Sequence, residues 1–351
     1  MIELSDPDFS LRWDTSLRYA LGWRAEGINP AFGNDPQYDE TEYRFQRGQL
    51  MMDRVDILTE FDLSYRRRYG LRLSAAGWYD AAYNDSAKSN PGMIDASGTG
   101  AGPFVPYSQV GSYVGNVYSP YTTRYTVGGS EFLDAFAFAS VDAGPVPLTF
   151  KFGQHTVYWG ESLFTTFHGI AYSQSPLDGL KGAASPGITA KEAFLPLMQA
   201  SMQAQLTPTL SLAAQYALAW KPNRLPEGGT YFGTADLLFN GPDRTFLGFV
   251  PGTGTPVFLP HGAAVEPERQ RGDWGLNLRW SPAVLGGATL GAYFRRFDET
   301  QPWAPLLKID PLSQLPVDYH LAYARGTQLT GLSFVTISFF SCREVKAPGH
   351  G

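Results

Sequence analysis

Residues 9 to 24 alternate between apolar and polar positions. Phe9, Leu11, Trp13, Leu17, Tyr19, Leu21 and Trp23 share one parity, with Thr15 among them. Ser10, Arg12, Asp14, Ser16, Arg18 and Arg24 share the other. A strand sends successive side chains to opposite faces, so this period gives one apolar face and one charged or small one. Aromatics stand near both ends of the apolar face, and aliphatics lie between them. That is the profile of a strand whose outer face meets lipid, with aromatic girdles at two interfaces and a wet interior.

The period returns along the chain. Val55, Ile57, Thr59, Phe61, Leu63 and Tyr65 oppose Asp56, Leu58, Glu60, Asp62 and Ser64. After the polar turn at Arg66, Arg67 and Arg68, Leu71, Leu73, Ala75, Gly77 and Tyr79 oppose Arg72, Ser74, Ala76, Trp78 and Asp80. Two strands and a tight turn make a hairpin. Further strands are predicted at 133–142, 148–158, 198–206, 210–220, 274–280 and 288–295. About nine strands result, and a tenth follows Gln328. Short turns near residues 68, 145, 208 and 284 alternate with irregular stretches at 25–54, 82–130, 159–195, 221–271 and 297–326. Bacterial barrels alternate periplasmic turns with long extracellular loops in the same way. The pattern therefore predicts an all-β chain: an antiparallel, up-and-down transmembrane β-barrel, one domain over 1–351.

Composition fits this without demanding it. The chain is 43% hydrophobic and 17% charged, which argues against disorder. Mean hydropathy is -0.20, and no stretch approaches the ~20 apolar residues of a membrane helix. A barrel strand is half polar and escapes that test. The net charge of -6 argues against nucleic acid as a partner. Cys342 is the lone cysteine, which excludes an internal disulfide and a cysteine-rich zinc site. Met1-Ile2-Glu3-Leu4 does not open a secretory leader, so the expectation is a removed leader or an upstream start.

Candidate chemistry is sparse. The histidines, His155, His168, His261, His320 and His350, lack metal-site spacing, and neither metal nor cofactor is expected. His155, Glu161, Ser162 and His168 bracket one strand end. They are compatible with a hydrolase using Ser162 and a nearby histidine, but the structural turn is the favoured reading, because a triad is recognised in space and spacing alone does not show one. Arg12, Asp14, Arg18, Glu60, Asp62, Arg72, Lys151, Gln203 and Arg279 fall on inward-facing parities and are candidates to line a lumen. They either pair and fill it or line an aqueous path. The stretch 159–195 is too apolar to leave in water, with Phe164, Phe167, Ile170, Leu177, Leu180 and Phe194. It either folds into the barrel as a constriction or ligand loop, or packs on itself as an outer cap. His155, Trp159, Glu161, Ser162, Phe164 and Phe167 are the candidates for that constriction.

Three segments carry a family resemblance. They are Leu133-Asp134-Ala135-Phe136, the run from Phe152 through Trp159-Gly160-Glu161-Ser162, and Lys191-Glu192-Ala193-Phe194-Leu195-Pro196. Their order resembles a proteobacterial outer-membrane family, domain of unknown function 1302. The opening strand and the region from Tyr319 to Phe334 also look similar. The resemblance implies a bacterial outer-membrane barrel linked to passage of hydrophobic compounds or lipids, with outer-membrane lipid and periplasmic envelope partners around it. This chain is shorter than typical members, and residues 335–351 do not look like native barrel sequence. It is expected to be such a barrel or its N-terminal portion. The function expected is passive passage of a small hydrophobic compound, with no enzyme activity. The alternatives are the hydrolase above and a structural or adhesive barrel.

Overall fold

The computed structural model describes residues 6–160, 169–303 and 305–336. Its main element is one antiparallel sheet of 10 strands. They are β1 (Phe9–Trp23), β2 (Leu50–Tyr65), β3 (Tyr69–Asp80), β4 (Gly128–Ala143), β5 (Val146–His155), β6 (Leu197–Thr207), β7 (Leu210–Ala217), β8 (Trp274–Trp280), β9 (Thr289–Phe297) and β10 (Thr327–Val335). Each pairs with the next sheet strand along the chain, so the topology is up-and-down. The strand after Gln328 is present as β10. Among the described residues, β1 and β10 are the free edges of the sheet.

The register keeps the parities apart. Arg12 stands opposite Asp62, Asp14 opposite Glu60 and Arg18 opposite Asp56. On the other face Trp13 is 64% exposed, Leu17 72% and Leu332 83%. Phe132, Phe152, Tyr79 and Phe334 are exposed on that face too. The apolar face of the sheet is thus bare.

Two boundaries differ from the sequence pattern. β2 begins at Leu50, inside the expected loop, where the Met51-Met52 pair hides the alternation. β5 ends at His155 and not at residue 158. The backbone at Gly153 has φ 127°, and a Cβ there would lie 2.3 Å from the Ala135 carbonyl oxygen, so only glycine fits where the chain prepares to leave the sheet.

Short turns gather at one end of the sheet. At the other end the long loops interlock as a cap. Tyr113 and Tyr118 are buried there and donate to the carbonyls of Gly228 and Gly229 at 2.7 and 2.8 Å. The Arg44 guanidinium lies over the rings of Phe45 and Tyr83 at 4.8 and 4.6 Å. The Asp236 carboxylate accepts from the backbone N–H groups of Glu40 and Thr41 at 2.8 and 2.9 Å. Small hairpins lie within the loops, Met93–Asp95 with Phe104–Pro106, Arg244–Phe249 with Pro256–Pro260, and Leu306–Ile309 with Pro316–His320. Strands this short show no readable period.

Candidate functional site on the polar face of the sheet

The chain leaves β5 after His155 and rejoins the sheet at Leu197. The described parts of this connection lie on the polar face. A short helix, Gly179–Ala184, starts where the Asp178 carboxylate accepts from the Lys181 N–H at 2.9 Å. Lys181 pairs with Glu131 of β4 at 3.0 Å and sits 4.6 Å from the Trp78 ring of β3. Ser185 donates to Asp56 of β2 at 3.1 Å, and Glu192 pairs with Arg18 of β1 at 2.9 Å. At the far side Arg295 of β9 donates to the carbonyls of Ile170 and Tyr172 at 3.0 and 2.6 Å. Ile170 also packs beside Gly331 of β10, and Trp159 lies on Gly275 of β8. A Cβ on Gly275 would come within 2.8 Å of the Trp159 ring. One segment therefore bridges the polar face from the first strand to the last. Its leucines Leu180 and Leu195 are buried, which is the reward for placing an apolar stretch here.

The polar face has two unlike halves. On β1 to β4 the arginines are paired. Arg72 meets Glu60, Asp62 and Asp134, the last two at 2.9 Å. Arg12 pairs with Asp14, and Arg54 with Asp56 at 3.1 Å. Strands β5 to β10 carry no Asp or Glu at all. Their inward cations are Lys151, Arg279 and Arg295, and Arg295 is held by the carbonyls just described. Lys151 lies 5.3 Å from the Phe136 ring. Among the described residues, neither Lys151 nor Arg279 has an acidic partner.

These two cations face a cavity of about 310 Å³, bounded also by His155, Trp159, Ser201 and Gln203. His155 is fixed from both sides. Its Nδ1 is 3.0 Å from the Gly153 carbonyl and its Nε2 is 2.8 Å from the Ser201 hydroxyl. Nδ1–H donating to the carbonyl leaves Nε2 to accept from Ser201.

The sequence-derived candidates thus separate. Arg12, Asp14, Arg18, Glu60, Asp62 and Arg72 lie in the ion-paired half. Lys151, Gln203, Arg279, His155 and Trp159 come together around the cavity. Glu161, Ser162, Phe164, Phe167 and His168 lie outside the described residues. The serine that meets His155 is Ser201, which has no motif around it to mark it out. Lys181, Glu131 and Trp78 were also missed, because partners 50 residues apart leave no local signal. Among the described residues no group of three or more His, Cys, Asp or Glu is placed to hold a metal.

Fold and site define a class: an up-and-down sheet with a bare apolar face and a polar face filled by the chain's own loop. The chain belongs to the family described as protein of unknown function (DUF1302), whose model matches residues 2–341. Neither a curated protein nor a solved structure matches it.

Proposed function

We propose that this protein is a bacterial outer-membrane β-barrel that passes a small hydrophobic compound by diffusion. The observation that carries the reading is the inversion of the sheet. Its apolar face is bare, and its charged face is covered by the chain itself. In water such exposure of Trp13, Leu17, Phe132 and Leu332 is costly. In lipid it is the favourable arrangement, with charges kept on the lumen side. No helix among the described residues is long and apolar enough to cross a membrane; in this reading the bare apolar face of the strands is what meets lipid. A bilayer tolerates no open sheet edge, so this reading requires the edges of β1 and β10 to be paired there.

The bridging segment is the constriction in this reading. It hangs from β5 and β6 and is pinned by ion pairs to β1 and β4, so a permeant compound must pass beside it. Passage needs no chemical step and no cofactor. The partners are outer-membrane lipid, the permeant compound and periplasmic envelope proteins.

Reconstitution into planar bilayers tests both parts. Deleting residues 165–190 is expected to raise single-channel conductance, with folding checked by heat-modifiable gel mobility. A folded deletion variant of unchanged conductance removes the constriction. A folded wild-type protein that does not insert into lipid removes the channel.

A further inference from the structure

The geometry points to a binding site for an organic anion, a carboxylate on a small apolar body, in the cavity between β5 and β8. The inference rests on the channel reading only for how such a ligand arrives. Its first support is an exception in the charge pattern. On β1 to β4, each of Arg12, Arg18, Arg54 and Arg72 has a carboxylate partner. On β5 to β10 the sequence supplies no carboxylate, and Lys151 and Arg279 face one cavity without any among the described residues. Both cations line the same cavity, and an anion held there is attracted by each.

The second support is the shape and chemistry of the walls. A volume of about 310 Å³ is at the small end of ligand pockets. Val157, Tyr158 and Trp159 give it an apolar side, held in place by Gln174, whose side-chain oxygen accepts from the Trp159 N–H at 2.7 Å. Arg279 presents a planar fork suited to a carboxylate, and Lys151 a point charge. The Ser201 hydroxyl is committed to His155 and the Thr149 hydroxyl meets Ser140 at 3.0 Å, which leaves the Gln203 amide as a neutral donor. Charge thus lies on the strand wall and apolar surface on the loop. A ligand with an anionic head and a hydrophobic body matches both.

The test uses three water-soluble probes of one shape: 3-phenylpropionate, 3-phenylpropanol and 3-phenylpropylamine. Binding to the full chain in detergent is read by calorimetry. The carboxylate is expected to bind roughly tenfold or more tighter than the alcohol, and the amine weakest. The double variant Lys151→Met with Arg279→Met is expected to erase the preference for carboxylate while leaving alcohol binding unchanged. Lys151→Arg with Arg279→Lys, which keeps both charges, is expected to retain it and guards against a mere folding defect. Equal binding of carboxylate and alcohol by the wild type would overturn the inference. So would a double variant, folded by gel mobility, that keeps the preference. The readout needs no membrane. Charge-dependent binding without conductance supports this site and sinks the channel, and conductance without it does the reverse.

Discussion

Glu227 lies in the loop cap with its carboxyl almost wholly out of water, and the Gly241 N–H donates to it. Burial pushes its pKa up from 4.5 to about 8. Burial does the same to Asp39, from 3.8 to about 8. A carboxyl raised in the folded state holds its proton there more tightly than in the unfolded chain. Its contribution to stability is therefore complete at acid pH, and is lost as pH climbs from the ordinary value through about 8. The cap is expected to grow more protease-sensitive between roughly pH 5 and 9. Glu227→Gln, which keeps an acceptor without the charge, is expected to flatten that slope in part, with the buried Asp39, Glu40 and Asp236 supplying the remainder. Digestion rates across pH, normalised to an unfolded control, measure it. A second expectation concerns Gly275. Gly275→Val would drive a branched side chain into the Trp159 ring and lift that end of the bridging segment, raising conductance in a variant whose strands still pair. At this scale the alternation showed which way Arg18, Lys151 and Arg279 point. It could not show which cation lacks a partner, because Glu192 and Glu131 are brought in by tertiary structure.

Among the elements, Arg72 is the point where three strands meet, since its carboxylate partners come from β2 and β4. Arg72→Met removes the cation that these acids share and leaves them repelling one another. The expected loss is about 1–3 kcal/mol, less than that of a fully buried pair because water reaches the site. It is read as a lower urea midpoint in micelles, and Arg72→Lys is expected to recover part of it. The strands themselves were legible because each side of the sheet meets a different medium, which imposes period two. The small hairpins at Met93–Asp95 and Arg244–Phe249 were not, since they pack inside a cap with no such division. The bridging segment was legible as apolar, from Leu177, Leu180 and Phe194. Its seat on the polar face was not, because Gly275 and Gly331 make the room for it by lacking side chains, and a missing side chain reads as a turn signal.

Across the whole molecule, the contact between Arg18 and Glu192 joins residues 174 positions apart. β1 is the first strand of the chain, yet its inward partner lies beyond β5. Closing a loop of that length is entropically dear, and contacts so remote in sequence slow folding. Neighbouring hairpins such as β2 with β3 can zip early, across a turn of a few residues. The inner anchor of β1 must wait for a segment made much later. During that interval Trp13, Leu17 and Trp23 stand on a strand that is half finished, which is when aggregation threatens such a chain. The slow event in building this protein is then the seating of an interior segment, and the time its first strand spends waiting is the period in which it most needs protection.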